Sequence, residues 1–411
     1  MAQKNKNENT VDTKMLLDSA MDLIHECSPH EAVHSKKFTI DTKNNKAYCV
    51  NDVISFYISL DSIYSGHKKI SSRFSRATAL KIIEKAIFDK KVAGEYFSDT
   101  GTVELLKVFT DAQPDDVKVI APISGIRIDS EGPLVIGPFE IGHSQSLKFP
   151  ISNDNEYYIS SAIKDSYDNE KSIAVAHDEF EEFINLIFLI AGKKDNSVFI
   201  KTDLLSYRSM SHQQMYVDTT SYQVHKGKVD FPCASIKNKI VEKLPVDNEF
   251  FAANDKFNAL WDLYKKRKNK ERISDFESRI LNCSISLGEA LKSQTEKNSV
   301  IHTCIALEIL LSYDEGSLFQ KSIGDRLAET FVFIVAKDKE SRIQMGALLK
   351  QVYRMRSALV HGGNKEIDQS YVTIIQYSRA AIAELLTSDK YKDVKKIGDL
   401  YDMVKSAQNS Y

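Results

Sequence analysis

Tyr353-Arg354-Met355-Arg356-Ser357-Ala358-Leu359-Val360-His361-Gly362-Gly363 is the stretch around which the chain is organised. Leu348, Val352, Met355 and Leu359 recur at 4-3-4 spacing through it, the mark of one apolar helix face. The glycine pair then gives the chain a place to leave the helix in a left-handed conformation. The region upstream has the same texture. No proline occurs between Phe250 and Leu386. Helical segments can be drawn over about 254–266 continuing to 292, then 296–313, 317–336, 340–361 and 367–387. In the second of these, Val300, Cys304, Leu307 and Leu311 repeat the 4-3-4 pattern. The spacing predicts an all-α bundle over 251–390, followed by 391–411 as a C-terminal tail or helix.

The first 250 residues read differently. Residues 1–11 are rich in Lys, Asn and Glu and are expected to be disordered. A short helix carrying Met15, Leu16, Met21, Leu23 and Ile24 follows. Phe38–Ile40 and Tyr48–Val50 alternate in polarity across Lys43-Asn44-Asn45, a hairpin signal. Helices are expected over 52–64 and 72–93. Strands are expected over 117–128, 134–141, 157–163, 197–201, 213–218 and 221–226, with an apolar helix over 173–191. This gives an α+β region over 12–250, divisible near residue 110 into 12–110 and 111–250. The fold class is therefore an α+β N-terminal region followed by an all-α C-terminal bundle.

Composition narrows the function. The chain has 411 residues, with Gly 16 and Pro 8, about half the usual share of these two residues. That excludes collagen-like and Pro/Gly-rich disordered chains. A net charge of -2 argues against binding nucleic acid through bulk charge, though not against a local basic site. Residues 251–411 carry 25 basic and 21 acidic side chains, a net of +4, which leaves -6 for the rest. The five cysteines are scattered with no CxxC, and read as reduced thiols in a cytosolic protein. The first residues show no apolar signal region, and Phe183–Ala191 is too short to span a bilayer. A cytoplasmic protein without membrane contact is expected.

Several residues could carry chemistry. His361 in a last helical turn is favourable C-terminal chemistry by itself; beside Arg356 it could also serve catalysis. Glu308 sits on an apolar helical face, where a carboxylate needs a partner; it orients Arg356 or His361, or forms a structural ion pair. Lys265-Lys266-Arg267-Lys268-Asn269-Lys270-Glu271-Arg272 is either a solvated helix face or a phosphate-binding strip with Trp261 and Tyr264 near for stacking. His25, Cys27, His30 and His34 lack a second ligand pair, so no metal is expected. Gly132, Gly137 and Gly142 match no phosphate-loop pattern and read as turns and bulges. No cofactor is expected.

With Ile305-Ala306-Leu307-Glu308-Ile309-Leu310-Leu311 preceding it by about 50 residues, the Arg356–His361 block resembles the R-x4-6-H motif of the HEPN superfamily, in its ApeA-like branch. The resemblance covers about 250–390. It implies an HEPN helical bundle that dimerises through itself and a metal-independent endoribonuclease acting on RNA, with transfer RNA a reasonable substrate. It further implies prokaryotic anti-phage defence by abortive infection, or a toxin held by an antitoxin, with the N-terminal region sensing a phage-derived trigger or restraining the nuclease. His361 would be the acid/base and Arg356 the phosphate clamp. Ser357 stands where many members have Asn, Arg354 would be a second RNA-binding cation, and Lys265, Lys266, Arg267 and Lys268 would add to it if their run is a phosphate-binding strip and not a solvated face. The alternative is a non-catalytic HEPN module for dimerisation or nucleotide/RNA binding. Positions five apart lie about 140° apart on a straight helix. Either the helix breaks before His361, or partner chains supply complementary halves, or Arg354 assists.

Overall fold

The computed structural model describes residues 12–41, 44, 46–147, 157–192, 200–202, 224–225, 228–229, 243–247, 251, 254–313, 322–362 and 366–409. The expected tail over 1–11, the strand over 213–218, most of that over 221–226, Cys233 and Gly363 lie outside the described residues. The chain divides into two compact units, Met1–Val119 with Ala162–Ala176, and Ile120–Ser161 with His177–Tyr411.

The first unit holds helices α1 (Thr13–Asp22), α2 (Pro29–His34), α3 (Val53–Gly66), α4 (Lys68–Arg73), α5 (Arg76–Ala93) and α6 (Asp99–Thr110). Strands β1 (Ile24–Cys27), β2 (Phe38–Asp41) and β3 (Lys46–Val50) form an antiparallel sheet in the order β1-β3-β2. The hairpin expectation holds, with Ile40 opposite Ala47. The core gathers Leu17, Met21, Phe56, Leu60, Ile63, Ile83, Ile87 and Phe109. Asp168 accepts from the Ser75 amide at 2.7 Å and the Lys171 amide at 2.8 Å, capping the first turn of the helix that begins at residue 169.

Two of the expected reduced thiols are not free: Cys27 and Cys49 form a disulfide. Pairing of β1 with β3 puts Cys27 opposite Ala47 and Cys49 opposite His25, with the two Cα atoms 6.3 Å apart, inside disulfide reach. Twenty-two residues of sequence hide this proximity, which only the strand register creates.

The second unit joins a sheet to the helices. Strands β4 (Asp115–Ser124), β6 (Leu134–Ile136), β7 (Phe139–His143), β8 (Tyr157–Ser166) and β9 (Lys201–Thr202) form a five-stranded sheet in the order β6-β7-β8-β4-β9. β5 (Ile126–Arg127), β10 (Val224–His225), β11 (Lys228–Val229) and β12 (Leu244–Pro245) form short pairs. α7 (Asn169–Ala191) is followed by α8 (Asp255–Lys268), α9 (Asp275–Lys292), α10 (Glu296–Leu311), α11 (Ile323–Val335), α12 (Lys339–Val360), α13 (Ser370–Thr387) and α14 (Ile397–Asn409). The expected single run from 254 to 292 is two helices. Lys270 adopts φ 58, and a Ser274/Glu277 capping box restarts the chain as α9. Residues 397–409 are a helix packed on the bundle, with Tyr401 Oη donating to the Leu311 carbonyl at 2.9 Å.

His177–Tyr411 falls in one compact unit, and among the described residues α7 is built into the C-terminal helices. The Arg379 guanidinium donates to the carbonyls of Leu189 (2.6 Å) and Ile190 (2.7 Å). Glu179, Glu181 and Glu182 on α7 pair with Lys268, Lys292 and Arg267. Phe139 of β7 packs against Phe183, Trp261 and Tyr264. Gly288 of α9 meets the α7 backbone so closely that a Cβ would lie 1.8 Å from the Asn185 oxygen. Among the described residues no helix is long and apolar enough to cross a membrane.

Candidate functional site

The site is built on α12. Its start is fixed by Asp338, whose carboxylate accepts from the Ser341 amide at 2.8 Å. Leu349, Val352 and Met355 are buried and set the inward face, one position from the expected start at Leu348, which is half-buried. Lys350, Tyr353, Arg354 and Ser357 follow the i, i+3, i+4, i+7 pattern of a single stripe beside that face. All four line a cavity of about 370 Å³, together with Arg356, Glu308 of α10, and Ser322, Ile323, Gly324 and Asp325 at the start of α11. Three cations (Lys350, Arg354, Arg356) therefore face two carboxylates (Glu308, Asp325), a formal +1.

Tyr353 of the lining reaches the buried Cys304 behind it, and both feel Glu308 and Arg356. Tyr353 Oη donates to the Cys304 carbonyl at 3.3 Å. Burial, with smaller contributions from Cys304 and Glu308, holds the Tyr353 phenol protonated well above its ordinary range. Burial pushes the Cys304 thiol up to about 12, the Glu308 carboxylate adding to the shift and Arg356 opposing it. Arg356 is half-buried, and its Nε is shielded from solvent with no hydrogen-bond partner among the described residues. A guanidinium N–H left without an acceptor inside a protein is costly.

His361 stands apart. α12 continues unbroken to Val360, and the His361 amide closes the last turn on the Ser357 carbonyl at 3.1 Å. Gly362 then leaves with φ 77. The helix thus does not break before His361, and the imidazole is not among the groups lining the cavity. It is exposed. It lies eleven positions from Lys350 and seven from Arg354, about 20° from each and between them, so the three fall within about 40° around the helix. His361 continues the Lys350–Arg354–Ser357 stripe beyond the cavity mouth, whereas Arg356 lies about 140° away. The fold brings Glu308, Arg354, Arg356 and Ser357 together within one chain and leaves His361 outside.

The basic run divides. Lys265 and Lys266 are exposed. Arg267 pairs with Glu182 and lies 4.8 Å from the Tyr264 ring. Lys268 pairs with Glu179, with side-chain exposures of 13% and 16%, and donates to Ser161 Oγ at 2.6 Å. The last two hold α8 to α7 and are not presented to a phosphate backbone. Trp261 and Tyr264, expected near for stacking, are buried against Phe139 and cannot receive a base. At the N-terminal histidines, the Cys27 sulfur is committed to its disulfide.

Lys350, Tyr353 and Asp325 escape a reading by motif. Polar residues at 350, 354, 357 and 361 were the available signal, a stripe that is visible only once the helix register is fixed. The chain matches no protein-family model, no curated protein and no solved structure.

Proposed function

We propose that the chain is a cytoplasmic, metal-independent endoribonuclease of the HEPN type, acting as a dimer in prokaryotic anti-phage defence. The observation that carries this reading is the cavity that Arg356, Arg354, Ser357 and Glu308 line together. Arg356 and Arg354 would hold the scissile phosphate while its charge builds up. The RNA's own 2′-hydroxyl attacks that phosphate, and the 5′-oxygen leaves, giving a 2′,3′-cyclic phosphate and a 5′-hydroxyl. One proton is removed from the attacking oxygen and one is given to the leaving oxygen, work suited to a group that titrates near neutrality such as His361. Because His361 lies off the Arg356 cavity of its own chain, the two-fold partner's copy is the one that completes the site.

The same observation favours one rival. A histidine that caps its helix and misses the cavity suits a non-catalytic module that binds nucleotide or RNA. Wild type, His361→Ala and Arg356→Gln, incubated with total RNA in EDTA, separate the two. Cleavage by wild type alone, with cyclic-phosphate ends, supports the nuclease. RNA binding without cleavage by any of the three supports the module.

A further inference from the structure

Lys350 is not part of the R-x4-H block, yet it lines the same cavity as Arg354 and Arg356. Its ammonium pairs with Asp325 at 2.6 Å, with side-chain exposures of 45% and 40%. Such a half-exposed pair contributes little to stability, so exchanging it for another anion costs little. The Asp325 carboxylate also takes a hydrogen bond from Ser322 Oγ at 2.6 Å, so it keeps a donor when Lys350 leaves. Lys350 and Arg354 are one helical turn apart, about 6 Å along the axis. That is comparable with the spacing of successive phosphates in a single strand. From Lys350 to His361 the stripe extends about 16 Å, so a strand laid along it meets a cation at each of its first two steps.

We infer that Lys350 forms a second phosphate subsite, which binds the phosphate next to the one held by Arg354 and Arg356, and that Asp325 occupies this subsite until a polynucleotide displaces it. The inference rests on the proposed RNA-binding role of the cavity and adds a residue and a direction to it: the strand runs from the α11 end of the cavity toward His361. The two partners of one ion pair then have opposite effects. Removing Lys350 deletes an attraction, whereas removing the Asp325 charge deletes a competitor.

The test uses the full chain carrying His361→Ala and a fluorescent single-stranded 2′-O-methyl RNA that cannot cyclise. Affinity is measured by anisotropy across a salt series. Lys350→Gln is expected to weaken binding several-fold and to flatten the slope of log K against log salt by about 0.7, the loss of one phosphate contact on a single strand. Lys350→Arg is expected to restore the slope. Asp325→Asn, which keeps an acceptor for Ser322, is expected to tighten binding. Denaturation midpoints of all variants confirm folding. An unchanged slope in Lys350→Gln overturns the inference, as does Asp325→Asn weakening binding alongside it, the result for a purely structural pair. These outcomes are separable from the fate of the nuclease reading. Wild type that cuts no RNA, with the slope still lost in Lys350→Gln, removes catalysis and keeps the subsite. Cleavage by wild type with an unchanged slope removes only the subsite.

Discussion

Replacing Gly288 by alanine puts a methyl carbon 1.8 Å from the Asn185 carbonyl oxygen and 2.4 Å from its carbon. Ordinary contact begins near 3.4 Å, so α9 and α7 must separate by about 1.6 Å. The obstruction is backbone, and no rotamer change relieves it. Overpacking of this kind costs about 3 kcal/mol, while alanine in a helix interior returns about 1 kcal/mol over glycine. The net loss is about 2 kcal/mol. Gly346 of α12 is the internal control: there the new methyl would meet only Val332 Cγ1 at 3.8 Å, so alanine is expected to stabilise by about 1 kcal/mol. The chain has one tryptophan, Trp261, buried in the second unit, so its fluorescence during urea unfolding reports that unit. At an m-value of about 3 kcal/mol/M, Gly288→Ala lowers the midpoint by roughly 0.7 M. An unchanged or raised midpoint would refute the close crossing of α7 and α9.

Three further outcomes are expected. Lys268→Ala leaves Glu179 half of a largely buried pair and should cost about 2 kcal/mol by the same fluorescence assay, with RNA affinity unchanged; reduced RNA affinity in a fully stable variant would return Lys268 to the binding surface. Burial raises the thiol of Cys304 from 9.0 to about 12, and raises Cys283, Tyr264 and Tyr353 as well. The folded state keeps these protons when the unfolded state loses them. Their stabilisation is therefore complete below about pH 9 and drains away toward pH 12, so urea midpoints should fall through that window; a flat profile would contradict burial of the four groups. Finally, the Cys27–Cys49 link closes a 22-residue loop, worth about 3 kcal/mol to the first unit. Mass spectrometry after alkylation without reductant should find these two cysteines unmodified in the unfolded chain; full labelling would show that the link does not form.

Much of the C-terminal half is legible in the sequence because helical burial has a short period. Val300, Cys304, Leu307 and Leu311, picked by 4-3-4 spacing, are all fully buried. The β2–β3 hairpin was likewise local, carried by alternation on either side of a polar turn. Register is harder. Leu348 and Leu349 are neighbours, and only packing against other helices decided that the second is the core residue. The basic run shows the same limit. Lys265 through Lys268 are equivalent in sequence, but the acidic face of α7 claims Arg267 and Lys268 and leaves Lys265 and Lys266 to solvent.

By itself the sequence determined the helical texture after residue 250, the positive balance of that region and the place of Arg356 near a helix end, since each follows from neighbours a few positions apart. Tertiary structure alone decided the Cys27–Cys49 link, the joining of α7 to the C-terminal helices, and the gathering of Glu308, Asp325 and Lys350 around Arg356. Those groups come from three helices, and contacts between distant segments are selected by the packing of whole faces, which no local period encodes. The position of His361 beyond the cavity has a mixed origin: five residues at 100° each separate it from Arg356, but the unbroken end of α12 is what makes that angle apply.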